Sequence, residues 1–173
     1  MITIVSDTHS ETGHELSGRT LNAVRAADLV VHAGDFTTEA ALDAFESESN
    51  RLVAVHGNNA TPGVLDRLPE VRTFEENGVR FALTHRRRGG STGLELFGRE
   101  RDADVVVFGH SHRHLAEDTG EVLLMNPGSH ARPRGGLPTH IELEPQEEDF
   151  GGAIYRRNGK LVQEFPVGGV VES

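Results

Sequence analysis

The sequence predicts an α/β fold in a single domain that covers residues 1–173. Apolar runs that end in polar side chains recur about every 25 residues, close to the length of one strand with its crossover helix. Helical patterns separate several of these strands, whereas antiparallel strands are predicted near the C-terminal end. A chain of 173 residues is long enough to bury a sizeable core.

The N-terminal part alternates strands with helices. A helix is predicted over residues 17–27 with Ser17 as its N-cap, and a second over residues 38–45 with Thr38 as its N-cap. The order predicts parallel strands whose carboxyl ends share one edge of a sheet. The three strands, each followed directly by polar residues, are predicted at residues 1–5, 29–33 and 52–56.

The remainder of the chain combines one buried strand with hairpins. Four apolar residues at 105–108 predict that buried strand, which follows a helix at 92–101, and a short turn is predicted at 65–68. The pairs Asn77–Gly78 and Asn158–Gly159 favour tight hairpin turns. The acidic segment 144–152 is predicted to be a mobile loop. Further strands are predicted at residues 71–75, 79–83, 121–125, 139–144, 152–157 and 161–167.

Composition narrows the class of protein. The formal net charge is -10, and Lys160 is the only lysine among 17 basic residues, which disfavours an extended nucleic-acid surface or binding to an anionic membrane. The sequence shows no transmembrane run or signal peptide, so a soluble, cytoplasmic protein is expected. It has no cysteine, which excludes disulfides and thiolate sites. Any metal must be held by histidine, carboxylate, amide or water.

The acidic, arginine-rich composition also bears on the environment of the protein. Salt screens the repulsion between like charges, so the composition predicts adaptation to high salt. A GC-rich genome explains the bias towards arginine equally well, and both explanations stay open.

Seven polar side chains follow predicted strands at the points where the strands end. Their spacing predicts that all seven lie along one edge of one sheet. A single ion takes about four to six ligands, so the set favours two metal ions with a bridging carboxylate. Asp35, which is central and alone on its loop, is the natural bridge. The seven residues are Asp7, His9, Asp35, Asn58, His85, His110 and His112.

The charge and chemistry of this set indicate both the ligand and the metal. Two divalent ions, the carboxylates of Asp7 and Asp35, neutral histidines, Asn58 and a bridging hydroxide sum to about +1, so the site attracts anions and phosphate above all. Ligation rich in imidazole favours Mn, Fe, Zn, Co or Ni over Mg or Ca, which prefer shells of oxygen alone.

These residues resemble the five sequence blocks of the calcineurin-like metallophosphoesterase superfamily. Residues 126–129 (Asn-Pro-Gly-Ser), with Pro133 and Arg134, resemble its small YfcE/MJ0936-like phosphodiesterase branch. The resemblance implies an αββα sandwich of two mixed β-sheets flanked by helices, with a binuclear site at the strand ends. The five blocks are Asp7 with His9, Gly34–Asp35, Gly57–Asn58, Thr84–His85 and residues 109–112 (Gly-His-Ser-His).

The resemblance also implies a ligand set and catalytic residues. Asp35, Asn58 and His85 are the catalytic residues that it implies, and manganese is the metal expected first. One metal would lie on Asp7, His9, Asp35 and His112, and the other on Asp35, Asn58, His85 and His110.

Two functions from different classes are compatible with this reading. The first is a phosphodiesterase or phosphatase that attacks a small phosphorylated substrate with a metal-activated hydroxide. The second is a non-catalytic protein-binding scaffold on the same fold, like the retromer subunit that resembles the family but lacks a full ligand set. All seven ligand types are retained, which favours the enzyme. A homo-oligomer is an open alternative to a monomer.

Several residues depart from the family pattern or have an open role. Asn59 and Ala60 replace a cysteine or histidine followed by an acid, and Arg86 replaces a glycine. Because Asn59 cannot transfer a proton at neutral pH, activated aryl diesters are the expected substrates. Residues 86–88 (Arg-Arg-Arg) either clamp a phosphate or form a solvated turn. Residues 126–129 are expected to support the His112 loop as a structural turn. The histidines predicted to lie in loops facing the site are His14, His56 and His130.

Overall fold

The computed structural model describes residues 1–168, so the last five residues of the predicted domain lie outside the described residues. The helices are α1 (Gly18–Ala26), α2 (Glu39–Glu48), α3 (Pro62–Arg67) and α4 (Gly90–Arg99). The strands are β1 (Ile2–Val5), β2 (Leu29–His32), β3 (Leu52–Ala54), β4 (Val71–Glu76), β5 (Val79–Thr84), β6 (Val105–Val107), β7 (His114–Asp118), β8 (Leu123–Pro127), β9 (Thr139–Pro145), β10 (Phe150–Arg156) and β11 (Leu161–Val167).

The strands form two mixed sheets. The first has the order β11-β10-β9-β1-β2-β3, and the second has the order β4-β5-β6-β8-β7. Each sheet has three neighbouring parallel strands, β1 to β3 in the first and β5, β6 and β8 in the second. The antiparallel strands extend these parallel centres outwards. The predicted α/β class of two mixed sheets is therefore confirmed.

Alternation along the strands explains the layered packing. In β6, Val105 and Val107 belong to the core between the two sheets, whereas Val106 belongs to a cluster with Leu94 and Phe97 of α4. On the first sheet, β1 and β2 likewise send residues into the shared core and, from the other face, towards a cluster that includes residues of α1 and α2. Because successive strand side chains point to opposite faces, the parallel strands of each sheet are buried on both faces and the layers are αββα.

The structure confirms some local predictions and corrects others. The Thr38 hydroxyl caps α2 by accepting a hydrogen bond from the Ala41 N–H at 3.3 Å, as predicted. Ser17 occupies the N-cap position of α1, but its side chain makes no capping hydrogen bond. Positive φ angles at Asn77 and Gly78 confirm the tight turn between β4 and β5.

The strands and loops differ from the sequence predictions in three places. Strand β7 was not predicted, because its exposed edge carries charged residues and lacks a regular apolar alternation. The strand predicted at 121–125 lies at 123–127. The predicted loop at 144–152 is shortened by β9 and β10 to the four residues 146–149. This hairpin turn is held by Asn77, whose side-chain amide donates to the carbonyls of Gln146 and Asp149.

Helix boundaries differ from the predictions by about two residues. Helix α4 begins at Gly90 rather than at residue 92, and the turn predicted at 65–68 is wrong, because the short helix α3 occupies Pro62–Arg67. Within residues 1–168 no helix is both long and apolar enough to span a membrane.

Candidate metal centre

The seven predicted ligands come together at the carboxyl ends of five strands. Asp7 and His9 follow β1, Asp35 follows β2 and Asn58 follows β3. The remaining three follow strands of the other sheet, His85 after β5 and both His110 and His112 after β6. The prediction of one edge of one sheet is therefore wrong. The two sheets face each other, and their strand ends supply opposite sides of one site.

Two carboxylates lie at the middle of the cluster. Asp35 Oδ2 is 3.1 Å from His9 Nε2 and 3.2 Å from His85 Nε2. Asp7 Oδ1 is 3.4 Å from His112 Nε2, and it lies 3.7 and 3.8 Å from the Nε2 atoms of His9 and His85. Asp35 therefore spans the two predicted sets of ligands, and Asp7 also reaches into both. Two groups of side chains have the spacing of metal ligands, namely Asp7 with His9 and His112, and Asp7 with Asp35 and His85.

Asn58 and His110 form the exposed side of the centre. Asn58 Oδ1 lies 3.2 Å from His110 Nδ1, and the His110 ring lies edge-on to His85 with 5.4 Å between ring centroids. Asp7, Asp35, His85 and His112 are buried, whereas Asn58 and His110 face solvent. The buried ligands thus close one side of the centre, and the side of Asn58 and His110 is open to solvent.

The loops that carry the ligands hold an unusual backbone conformation. Five of the seven predicted ligands have positive φ angles, which non-glycine residues seldom adopt. Such strain persists where the surrounding structure fixes it, and it is concentrated at functional sites. The Asp7 N–H donates to the Gly34 carbonyl, and the His9 N–H donates to the Asp35 carbonyl, both at 3.0 Å. The five ligands are Asp7, His9, Asp35, His110 and His112.

Each central carboxylate is oriented by hydrogen bonds to one of its two oxygens. Asp7 Oδ2 accepts from the Ser6 hydroxyl at 2.8 Å and from the His110 N–H at 3.0 Å. Asp35 Oδ1 accepts from the Asn59 N–H at 3.0 Å. The other oxygen of each carboxylate is left facing the centre, which is the arrangement that a metal ligand requires.

Two buried histidines have a fixed tautomer. His85 Nδ1 lies 2.7 Å from the Ala33 carbonyl, and His112 Nδ1 lies 2.5 Å from the Arg132 carbonyl. A carbonyl can only accept a hydrogen bond, so both Nδ1 atoms carry protons and the neutral rings direct Nε2 lone pairs into the centre. Asp7 Oδ1 and His85 Nε2 are buried and make no hydrogen bond within the described residues. Lone pairs that face carboxylate oxygens require a cation between them, so the residues fit divalent metal ions.

The pKa values in the metal-free protein also indicate that the central carboxylates favour positive charge beside them. The neighbouring carboxylates, Asp35 first and then Asp7, raise the pKa of His9 to about 9. Burial opposes protonation of His85, but the Asp35 carboxylate outweighs it and raises the His85 pKa. Burial also opposes ionisation of Asp35, yet the adjacent imidazoles of His85 and His9 hold its pKa well below the usual range. Burial, then the charge of His85, lowers the pKa of His110. Asp35 is therefore ionised at neutral pH and stabilises cations beside it.

Residues 126–129 support the ligand loops, as predicted, although Asn126 and Pro127 belong to strand β8 rather than to a turn. The Asn126 side-chain amide donates to the Gly109 carbonyl at 3.1 Å, and the Ser129 hydroxyl donates to the Asp7 carbonyl at 2.7 Å. Sequence reasoning did not identify Ser6 and Ser129 as partners of Asp7. Ser6 adjoins a predicted ligand, but nothing in the sequence indicates which way its hydroxyl points.

The arginines at 86–88 have different environments. The Arg87 guanidinium packs over the Phe97 ring at 4.6 Å and contacts Glu70, so it belongs to a structural turn. Arg86 is exposed and directly follows the ligand His85 in the chain, and its charge contributes to the lowered pKa of His110 after burial and His85. Arg87 therefore has the structural role, and a phosphate clamp at Arg86 stays a prediction.

The three additional histidines do not form a second catalytic group. His130 is fully buried and contacts the Thr8 hydroxyl at 3.1 Å, so the prediction that it lies in a loop facing the site is wrong. His14 pairs with Glu48 at 3.1 Å, and the His56 ring bonds to the Gly57 carbonyl at 3.0 Å.

Comparison with known proteins shows what this arrangement resembles. Residues 1–148 match the family described as the calcineurin-like phosphoesterase superfamily domain. A "Probable metallophosphoesterase MJ0623" of Methanocaldococcus jannaschii is 31% identical over 155 residues, which cover 86% of this chain and 77% of that protein. A "Phosphodiesterase MJ0936" of the same organism is 26% identical over 162 residues, covering 86% of this chain and 95% of that protein.

The fold also matches solved structures. Zinc-complexed Vps29 from Entamoeba histolytica has a TM-score of 0.79 at 17% identity, with 95% of this chain and 98% of that chain covered. At this identity the likeness concerns the fold alone, and it supports the two-sheet architecture described above.

Proposed function

The chain belongs to the calcineurin-like phosphoesterase superfamily, and from that premise we propose that it is a metal-dependent phosphodiesterase that hydrolyses small phosphate diesters. The observation that carries the proposal is the pair of unpartnered buried atoms, Asp7 Oδ1 and His85 Nε2, inside a cluster of histidines and carboxylates. Unpaired buried polar groups are costly, and divalent ions bound within this cluster would satisfy both atoms.

The seven clustered side chains would hold two divalent ions. Asp35 would contact both ions, because its Oδ2 lies between a histidine of each predicted set. Manganese is the ion proposed first, since imidazole and carboxylate ligands together suit the first-row transition metals. When bound, two such ions supply a nucleophile from water at neutral pH and offset the charge that develops on the phosphoryl oxygens.

The protein's own residues would orient the substrate and fix the ligands. Asn58 and His110 lie on the open side, where a phosphate can approach the centre. Arg86 on the same side carries a guanidinium, which matches phosphate oxygens with two parallel hydrogen bonds. The carbonyls of Ala33 and Arg132 keep the protons of His85 and His112 on Nδ1, so that both Nε2 atoms stay available as ligands.

The departing group is expected to receive little help from the protein. The Asn59 side chain cannot transfer a proton at neutral pH, and its backbone N–H already donates to Asp35 Oδ1. Buried His130 does not reach solvent. General-acid catalysis commonly contributes about 10²- to 10⁴-fold, and its absence matters least for a weakly basic leaving group. Activated aryl diesters are therefore the suitable first substrates.

The test combines turnover with metal content. Protein reconstituted with Mn is expected to hydrolyse bis(4-nitrophenyl) phosphate and to bind about two ions per chain, as the ligand count requires. Asp35→Asn is expected to lose most of the activity and to weaken binding of both ions while remaining folded. The matched control is Asp66→Asn, the same change at an exposed position on α3.

Three outcomes separate the alternatives. Active wild-type protein with one or fewer tightly bound ions would contradict the binuclear mechanism. Full activity in Asp35→Asn would contradict the role of Asp35. Wild-type protein that binds two ions but hydrolyses no diester, aryl or alkyl, would favour a protein-binding scaffold instead.

A further inference from the structure

An open cleft adjoins the metal centre on the side of His9 and His112. Its volume is about 470 Å³, and its other walls come from residues 131–134. His9 and His112 belong to both the centre and the cleft. A group attached to a phosphate at the centre can therefore extend into this space without crossing the protein interior.

The segment that walls the cleft is tied firmly to the centre. The Arg132 carbonyl accepts from His112 Nδ1 at 2.5 Å, and the Arg132 N–H donates to the Ser129 hydroxyl at 2.8 Å. Beyond Arg132 the chain makes a turn, in which the Gly136 N–H donates to the Pro133 carbonyl at 3.3 Å. Gly135 has φ +67, which places Arg134 at the tip of the turn. The position of Arg134 is thus set relative to His112.

The two arginines of the cleft differ in charge compensation. Arg132 makes two hydrogen bonds with the Glu15 carboxylate, at 2.6 and 3.0 Å, so its charge is largely neutralised. Arg134 is exposed, and within residues 1–168 it makes no ion pair or side-chain hydrogen bond. The cleft therefore presents one uncompensated guanidinium beside the apolar walls of Ala131 and Pro133.

We infer that this cleft is a specificity subsite for the second substituent of the phosphate diester, and that Arg134 selects substituents with an apolar body and an anionic group at the far end. The inference rests on the proposed function only in assuming that the substrate is a phosphate diester. The anionic group is a carboxylate or a phosphate, because a guanidinium binds either with paired hydrogen bonds. The neutral side chains of Ala131 and Pro133 contact the apolar body. A strongly hydrated substituent would gain less from filling this part of the cleft.

Binding of non-hydrolysable phosphonates tests the subsite separately from catalysis. Calorimetry on Mn-loaded protein would compare phenylphosphonate with 4-phosphonobenzoate and benzene-1,4-diphosphonate. The wild type is expected to bind at least one of the two anionic compounds about five- to tenfold more tightly than phenylphosphonate, as for a partly exposed charge-assisted hydrogen bond. The compound with the larger gain identifies the anionic group as carboxylate or phosphate.

Arg134→Gln is expected to bring the ratio of these affinities close to one. The matched control is Arg99→Gln, which removes the same charge from α4. Among residues 1–168, the Arg99 guanidinium pairs with the exposed Glu121 at 3.7 Å. This control should keep the wild-type ratio. A ratio that falls equally in both variants would assign the effect to net charge and overturn the subsite.

Failure of the inference and failure of the proposed function give different results. Hydrolysis of bis(4-nitrophenyl) phosphate without any preference among the phosphonates overturns the subsite and leaves the phosphodiesterase standing. A preference that depends on Arg134, without hydrolysis of any diester, supports the anion subsite and overturns the enzyme. If no phosphonate binds to the metal-loaded protein, the subsite is overturned as well.

Discussion

Thr8 lies between two predicted metal ligands, and its hydroxyl joins two buried histidines. The Gly34 N–H donates to His32 Nδ1 at 3.1 Å, so the His32 proton must lie on Nε2, which donates to the Thr8 hydroxyl at 2.9 Å. The Thr8 proton is then directed to His130 Nε2 at 3.1 Å. All three side chains are fully buried. This chain of hydrogen bonds fixes the backbone from which Asp7 and His9 extend.

The Thr8 hydroxyl is therefore expected to influence metal affinity without touching a metal. Thr8→Val keeps the shape but leaves two buried histidine nitrogens unpaired, which costs about 1–3 kcal/mol for each. We expect Mn affinity to fall about 10- to 100-fold, the usual effect of losing a residue that orients ligands. Calorimetric titration of folded protein measures it.

The matched variant for this comparison is Thr8→Ser, which retains the hydroxyl and loses only a methyl group. It should bind Mn nearly as well as the wild type. Equal weakening in the Ser and Val variants would show that packing of the methyl group, rather than the hydrogen bonds, positions the ligand loop.

His130 should make the metal-free protein sensitive to acid. Burial, then the charge of His140, lowers its pKa from 6.5 to about 3. Between these pH values the unfolded chain binds a proton that the folded chain excludes, so stability is complete above pH 6.5 and is lost as the pH falls towards 3. The loss approaches about 1.4 kcal/mol per pH unit. His32, whose pKa burial also lowers, acts in the same direction.

Urea unfolding of EDTA-treated protein between pH 7 and pH 4 measures this effect. His130→Gln should be less stable than the wild type at pH 7 but lose less stability on acidification. His56→Gln, a change at a half-exposed histidine, is the control and should retain the wild-type slope. If the free energy of unfolding falls with pH equally in wild type and His130→Gln, His130 is not the source of the acid sensitivity.

At the scale of elements, the close approach of the ligand loops depends on glycines that follow strands. Gly109 follows β6, and a Cβ there would overlap the Ser6 hydroxyl and come within 2.7 Å of Asp7 Oδ2. Gly57 follows β3, and a Cβ there would lie 2.6 Å from the Asp35 amide nitrogen. These contacts join loops of different strands, so the space for each carboxylate depends on a residue from another element.

Gly109→Ala is accordingly expected to displace Asp7 and weaken metal binding. The added methyl group competes with the Ser6 hydrogen bond, which orients the carboxylate, so we expect at least about a tenfold loss in Mn affinity. The control is Gly13→Ala, where an added Cβ meets no atom within 4 Å. Mn titrations of both variants, with circular dichroism to verify folding, test this expectation. Wild-type affinity in Gly109→Ala would mean that the loop relaxes without moving Asp7.

At the scale of the whole molecule, the net charge of -10 governs the response to salt. Many arginines form exposed ion pairs, such as Arg25 with Glu48 and Arg67 with Asp43. Exposed pairs contribute only about 0–1 kcal/mol each, so screening them costs little. Screening the excess of negative charge relieves repulsion across the whole surface.

The melting temperature is therefore expected to rise steadily as KCl is raised from dilute to molar concentrations. A variant with Glu144, Glu147 and Glu148 changed to glutamine should show a smaller rise, because these acidic residues lie exposed at the hairpin between β9 and β10. A melting temperature that stays constant with KCl would leave the arginine bias to genome composition.

The sequence by itself determined the class of the fold and the identities of the clustered residues. Strand ends are local features, since an apolar run followed by Asp, Gly-Asp or His can be recognised without knowing its neighbours. The five blocks therefore indicated Asp7, His9, Asp35, Asn58, His85, His110 and His112 before any contact was known. The turn at Asn77–Gly78 and the Thr38 cap were predictable for the same reason, because their hydrogen bonds or dihedral angles involve adjacent residues.

Only the tertiary structure decided how those residues face one another. Strand order is a non-local property. The sequence therefore predicted all seven ligands on one edge of one sheet, whereas the structure divides them between two sheets. The His110 N–H reaches Asp7 across 103 positions of the chain, and Ser129 reaches Asp7 across 122. The Thr8 network and the pairing of Arg132 with Glu15, which leaves Arg134 uncompensated, are contacts of the same kind. Which polar atoms are satisfied and which remain open to a ligand depends on such long-range contacts, because a side chain's hydrogen-bonding partners are set by packing rather than by its neighbours in sequence.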